Sequence, residues 1–92
     1  MASERDQMMK TANSSIKKVK NVRDACETAY QNVYATLQEV SNNWSGEAGN
    51  AMANALLDIY NDLKKAHSEL DLAVKQMQKE SKSIYNNWPS DD

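Results

Sequence analysis

The chain has 92 residues, the length of one small domain, and its two glycines and single proline leave little material for the turns of an all-β fold. A net charge of −2 argues against a general nucleic-acid binder and against a basic membrane-surface helix. No stretch approaches the ~18–20 uninterrupted apolar residues of a membrane span. We therefore expect a single all-α domain with no nucleic-acid partner and no stable membrane insertion.

The first segment begins without the apolar run of a secretory signal peptide, so the general export route alone would leave the chain in the cytoplasm. Ser3 lies three residues before Asp6, a spacing typical of a helix start. Two mostly apolar rows at seven-residue spacing then predict a first helix over about 4–41. They comprise Met9, Ile16, Arg23, Tyr30, Leu37 and Trp44, and Ala12, Val19, Cys26, Val33 and Val40.

A third row, Met8, Val22 and Ala29, makes the apolar stripe of this helix wider than one helix-helix seam requires. Arg23 is the one charge in the first two rows, and we expect it to pair with an acid or to reach solvent. Cys26 is the single cysteine, so the chain cannot form an internal disulfide.

The stretch from Asn42 to Glu47 interrupts both helical patterns. Its asparagines, serine and glycine accept turn geometry or cap helices, so a turn is predicted at about 42–46 between two antiparallel helices. A tryptophan usually buries ~150–250 Å². We therefore expect Trp44 to act as a wedge that closes this end of the hairpin, with part of its indole left exposed.

The second helix is predicted over about 46–87, with Ser45 as its N-cap and 88–92 as a tail, because Pro89 disfavours helical geometry at Trp88. Leu56, Leu63, Leu70, Met77 and Ile84 form one row, and Met52, Ile59, Ala66, Ala73 and Glu80 are assigned as the other. The residues assigned to the hairpin and dimer seam are Ile16, Val19, Val33, Leu37, Leu56, Leu63, Leu70 and Met77.

Each helix would be ~55 Å long at 1.5 Å per residue. Two such helices cannot cover both of their own wide stripes, since each covers only one side of the other. The sequence therefore predicts a partner, most simply a second hairpin that completes a four-helix bundle.

Catalytic chemistry is weakly indicated. His67 shares a helical face with Asp71 and could hold half a metal site, but a structural role is the simpler interpretation. No Gly-rich phosphate loop, nucleophile elbow or Cys/His cluster appears. We expect no enzyme activity, no cofactor and no metal. The basic cluster formed by Lys17, Lys18, Lys20 and Arg23 is expected to be a solvated face.

The triplet Trp44-Ser45-Gly46 falls at the midpoint of the chain, between two long amphipathic helices. The whole chain resembles the Trp-x-Gly family of early secreted antigen-like proteins, small helical hairpins exported by type VII secretion in Gram-positive bacteria. The resemblance implies an antiparallel hairpin with Trp44 and Gly46 in the connecting loop, and head-to-tail homo- or heterodimers. It also implies export from the cytoplasm without a cleaved signal peptide, presentation to the secretion ATPase, and a role in virulence or interbacterial competition.

The resemblance breaks down at the C-terminus. The export signal of the family is Tyr-x-x-x-Asp/Glu, but Tyr85 is followed four residues later by Pro89. Trp88 with Asp92 is a candidate degenerate signal, and a chance spacing in an acidic tail is equally compatible. The first hypothesis is a secreted dimeric interaction protein. The alternative is a cytoplasmic adaptor or chaperone that pairs with the helical targeting domain of a type VII-secreted toxin. A helical scaffold unrelated to secretion is the third hypothesis.

Overall fold

A computed structural model of the protein describes residues 3–89, which form two long helices, α1 (Glu4–Asn43) and α2 (Gly46–Asn86). Trp44 and Ser45 alone join the helices, which pack against each other as a hairpin. The described residues contain no strand. The predicted all-α helix-turn-helix fold is therefore confirmed.

The start of α1 has the capping geometry that the sequence indicates. Ser3 has extended backbone geometry, and its hydroxyl accepts a hydrogen bond of 3.1 Å from the backbone N–H of Asp6. Glu4 and Asp6 place negative charge in the first turn, where it complements the helix dipole.

The end of α1 lies two residues beyond the expected boundary at 41. The backbone N–H of Trp44 donates to the carbonyl of Val40 at 2.9 Å, which continues the helical hydrogen bonds to the last turn. The side-chain amide of Asn43 donates to the carbonyl of Glu39 at 3.0 Å. The connection was expected over 42–46. Because these bonds extend α1 to Asn43, it consists of Trp44 and Ser45 only.

The hairpin is a thin rod with little core of its own. Its extents are 71 × 19 × 12 Å and its radius of gyration is 20.6 Å, against about 12 Å for a compact domain of this length. Ile16, Val40 and Val74 are the buried hydrophobic side chains of the described residues. The other seven residues assigned to the seam are only partly buried. Most apolar side chains therefore keep some contact with solvent.

One of the two rows assigned to the inside of α2 was wrong. Met52, Ile59 and Ala73 are exposed, whereas the row one position later faces α1. That inner row contains Ala53, Tyr60, His67, Val74 and Ser81. Both rows alternate with the leucine row in steps of three and four, so periodicity allows either. Packing against the rings of α1 selects the later row.

Candidate functional site

The hairpin turn holds Trp44 in a half-exposed position. Its backbone is extended, with φ −105° and ψ 151°, and 49% of the residue remains accessible to solvent. Trp44 is therefore not a fully buried wedge. Part of its indole forms the surface of this end of the rod.

Gly46 allows the chain to reverse direction directly after Ser45. Its φ of +75° is the one positive φ among the described residues, in the left-handed region that glycine adopts at little cost. A Cβ added at Gly46 would meet nothing within 4 Å. The requirement for glycine here is therefore one of backbone conformation and does not come from crowding.

Gly49 has a different role, because it brings the first turn of α2 close to Trp44. A Cβ at this position would lie 3.1 Å from the Cβ of Trp44 and 3.2 Å from its carbonyl carbon. Gly49 is buried although its neighbours are exposed. The crowding of small residues at the start of α2, Gly49 among them, already indicates from the sequence that backbone can come close beneath Trp44. A glycine inside a helix costs about 1 kcal/mol relative to alanine, which also indicates a packing role.

Ser45 occupies the N-cap position of α2, as expected, but its side chain makes no capping hydrogen bond. Glu47 supplies the negative charge in the first turn. The start of α2 is thus defined by the backbone of Ser45 and Gly46 more than by a side-chain cap.

A cluster of rings lies across one flank of the seam. Tyr30 is edge-on to Tyr60 and to His67, with ring centroids 5.9 and 5.6 Å apart. Tyr34 and Tyr60 are 5.5 Å apart, and the ammonium of Lys64 lies 5.7 and 5.5 Å from the ring centroids of Tyr30 and Tyr60. His67 is therefore part of an aromatic layer between the helices.

Asp71 pairs with cations of both helices. Its carboxylate accepts a hydrogen bond of 3.1 Å from Arg23 and lies 3.1 Å from the ammonium of Lys75. The hydrogen bonds from Lys75 and Arg23 hold the pKa of Asp71 below its usual value. Arg23 also donates to Asp24 at 3.2 Å, the largest cause of its raised pKa. The expectation that Arg23 pairs with an acid is confirmed.

The flank of the hairpin opposite the rings and the ion pair carries a row of apolar side chains that are exposed or partly exposed. We call this surface the outer face, and it consists of Val22, Ala29, Met52, Ile59, Ala66 and Ala73. Val22 is 56% exposed and Ile59 is 47% exposed. On α2, Ala66 and Ala73 lie two positions after Lys64 and Asp71, a rotation of about 200°. The outer face therefore points away from the flank that carries the rings and the ion pair.

The two candidate export elements lie at opposite ends of the rod. Trp88 follows the end of α2 at Asn86 and is partly buried, and Tyr85 packs under the guanidinium of Arg5 at 4.5 Å. Asp92, the second residue of the candidate degenerate signal, lies outside the described residues. One hairpin, 71 Å long, therefore cannot bring its own Trp44 beside its own Trp88.

Within residues 3–89 the structure shows no pocket and no group of three or more side chains arranged to hold a metal ion. None of the helices in this described range is long and apolar enough to cross a membrane.

No protein-family model, curated protein or solved structure matches the chain. The features of the chain that bear on function are the geometry of the turn, the outer face and the triplet Trp44-Ser45-Gly46.

Proposed function

We propose that the protein is a small interaction protein of type VII secretion, exported as a dimer of helical hairpins in which the turn around Trp44 is a docking element. The observation that carries this proposal is the half-exposed tryptophan at the end of the rod, where its backbone is bonded to Val40 and packed against Gly49. Catalysis is not part of its role.

The geometry of the turn supports docking because the exposed indole is pre-positioned. Gly46 supplies the reversal, Gly49 brings α2 close to the backbone of Trp44, and the N–H of Trp44 is bonded to Val40. A tryptophan fixed in this way loses little freedom when a partner covers it. Binding surfaces commonly depend on such aromatic anchors.

The outer face supports a dimer. The hairpin buries few of its apolar side chains, and a second hairpin placed on the outer face would cover Val22 and Ile59 and complete a four-helix bundle. In a head-to-tail dimer, the Trp44 turn of one copy lies near the Trp88 end of the other. A secretion ATPase could then contact both elements at one end of the bundle.

The end of α2 favours a second candidate function. α2 ends at Asn86, so Trp88 lies outside the helix and is followed by Pro89. Pro89 disfavours helical geometry at Trp88, which argues against a helical turn that would present an aromatic and an acid on one face. The export signal would then come from a partner, and this chain would act as a cytoplasmic adaptor for the helical targeting domain of a secreted toxin.

The test compares Trp44→Ala with Tyr34→Ala in the cell that produces the protein. Tyr34 is a suitable control because it is also aromatic and 45% exposed, but it lies on the side of the hairpin. We expect Trp44→Ala to lower the secreted fraction at least about tenfold, and Tyr34→Ala to leave it within about twofold of wild type. Circular dichroism checks that both variants still fold, and native mass spectrometry checks that they still pair.

Normal export of a folded Trp44→Ala variant would contradict the docking role. The adaptor hypothesis predicts a different outcome for the wild type. The chain would remain in the cytosol after its toxin partner has reached the medium, and removal of the chain would stop export of the toxin.

A further inference from the structure

We propose that Tyr34 and Tyr60 form an oxidative cross-linking site, at which a one-electron oxidant of the peroxidase class joins α1 to α2 through a carbon–carbon bond between the two rings. Both residues belong to the ring cluster that also contains Tyr30 and His67. The cross-link depends only on the chemistry of these rings and does not require export, so its failure would leave the proposed function standing.

The first observation is the concentration of phenol rings at one place. Three of the four tyrosines of the chain lie in the ring cluster. Tyr34 and Tyr60 come from different helices, and their ring centroids are 5.5 Å apart. Oxidised phenols couple when their rings meet at the carbons beside the hydroxyl groups. Two rings already held in contact therefore react with each other before they meet the rings of other molecules.

The angles between the rings distinguish this pair from Tyr30 and Tyr60. Tyr30 stands edge-on to Tyr60 at 84° and edge-on to His67 at 82°, so its ring is held from two sides. The planes of Tyr34 and Tyr60 are tilted by 43°. Tyr34 is also 45% exposed, and exposed side chains rotate freely on short timescales. Tyr34 and Tyr60 are therefore the pair that couples with the least movement of packed atoms.

Tyr34 is the ring at which oxidation begins. It is exposed, whereas Tyr30 and Tyr60 are only partly accessible to the oxidant. The ammonium of Lys64 lies 5.7 Å from the ring centroid of Tyr30 and 5.5 Å from that of Tyr60. A positive charge over the face of a ring opposes the removal of an electron from it. Electrons are therefore removed most easily from Tyr34.

The cross-link forms in two one-electron oxidations. Tyr34 loses an electron and its phenolic proton to the oxidant. The Tyr34 radical then takes an electron and a proton from Tyr60 and is itself oxidised again, which leaves two neutral phenoxyl radicals. Their unpaired electrons form one bond between ring carbons, and the hydrogen on each of these carbons moves to the oxygen. Hydrogen peroxide, acting through a haem peroxidase, takes up the two electrons and two protons and becomes two water molecules.

The new bond would staple the hairpin across its turn. The loop from Tyr34 to Tyr60 contains the turn, so closing it restricts the unfolded chain. We expect the Tm of the cross-linked chain to be at least about 10 °C higher than that of untreated protein. Unlike a disulfide, this bond is not reversed by thiols. An unchanged Tm of the isolated product would contradict the staple.

The test exposes the full chain to a haem peroxidase and limiting hydrogen peroxide. A glutamate-specific protease then separates the two rings, because it releases Tyr34 on peptide 28–39 and Tyr60 on peptide 48–69. We expect a joined peptide, lighter than the sum of the two by two hydrogen atoms and with the fluorescence of dityrosine. Methionine oxidation adds oxygen atoms and is therefore distinguished by mass.

Tyr34→Phe and Tyr60→Phe are the test variants, since each keeps the ring and removes the phenol. Each should lower the yield of the joined peptide at least about tenfold. Tyr30→Phe is the matched control, because Tyr30 lies on the same peptide as Tyr34 and contacts the same ring of Tyr60. It should leave the yield within about twofold of wild type. A joined peptide that persists in Tyr34→Phe, or is lost in a folded Tyr30→Phe protein, would overturn the assignment.

Denaturing gel electrophoresis separates cross-linking within one chain from cross-linking between chains. The product should migrate as a single chain, and its yield should stay within about twofold when the protein concentration changes about tenfold. A product found mainly as linked pairs of chains, with a yield that rises with concentration, would overturn the site.

A second measurement applies if a variant does not fold. The wild type is oxidised in buffer and in denaturant by a light-driven ruthenium complex with persulfate as the electron acceptor, which requires no enzyme. Unfolding should lower the yield of the joined peptide at least about tenfold, because the two rings are no longer held in contact. Equal yields from the folded and the unfolded chain would overturn the inference that the fold creates the site.

Discussion

Substitution of Gly49 by alanine probes the contact that fixes Trp44. The added Cβ would lie 3.1 Å from the Cβ of Trp44 and 3.2 Å from its carbonyl carbon, closer than ordinary van der Waals contact. Trp44 cannot retreat freely, because its N–H is bonded to Val40 and only Ser45 separates it from α2. We therefore expect the turn to be displaced and the indole environment to change.

Two effects of opposite sign determine the size of the change. Alanine is favoured over glycine inside a helix by about 1 kcal/mol, whereas inserting a methyl group into a tight contact typically costs about 1–3 kcal/mol. One crowded atom is the Cβ of Trp44, but the other is its carbonyl carbon, and the backbone is harder to move. We expect a net loss of about 1 kcal/mol, equivalent to roughly 4–8 °C in Tm for a chain of this size.

The assay is thermal unfolding at fixed protein concentration, together with the fluorescence of Trp44 measured in a Trp88→Phe background. The concentration must be held constant because the Tm of an associating protein depends on it. Asn50→Ala, at an exposed position one residue further along α2, is the matched control for helix propensity and should raise stability slightly. A Gly49→Ala protein that is about 1 kcal/mol more stable, with unchanged Trp44 fluorescence, would refute the steric argument.

Other substitutions test the packing of Trp44, the ion pairs of Asp71 and the C-terminal segment separately. Trp44→Ala should cost about 2.5 kcal/mol in chemical unfolding, since roughly 100 Å² of the indole is buried at about 25 cal/mol per Å². A loss below about 0.5 kcal/mol would mean that the side chain is a surface feature only. Stability should fall as the pH drops below about 4 toward the lowered folded pKa of Asp71, because protonation removes its pairs with Lys75 and Arg23, and Asp71→Asn should reduce this dependence. An identical acid profile in Asp71→Asn would contradict that assignment. Trp88→Ala or Asp92→Ala should lower export only weakly, as judged from medium and cell fractions, and a complete block in an intact dimer would show that the chain carries its own signal.

The inner rows of α1 could be predicted from spacing because they continue along the whole helix, whereas the third row, Met8, Val22 and Ala29, is interrupted by Ser15. Ile16 and Val40 belong to those rows and are buried. Arg23 could also be placed, since a charge inside a seam needs an acid within reach. The acid that it pairs with across the hairpin, Asp71, is 48 positions away in the chain and is identified only by the packing of the two helices.

The inner surface of α2 could not be assigned from the sequence. Ile59 and Tyr60 belong to rows that both alternate correctly with the leucines, so hydrophobicity favours the isoleucine row. The structure selects Tyr60 because it packs against Tyr30 and Tyr34. The small residues at the start of α2 indicate a close approach to Trp44, but the one that makes the contact, Gly49, is identified only by how the helices meet at the turn.

Native mass spectrometry of the protein recovered separately from the medium and the cytosol of its own cell distinguishes export as a dimer from retention in the cell. A folded dimer of two 10.4 kDa chains in the medium, together with loss of that species for Trp44→Ala, is the predicted result. A folded wild-type monomer found only in the cytosol, with no toxin or other partner bound and no exported protein depending on it, would contradict the account.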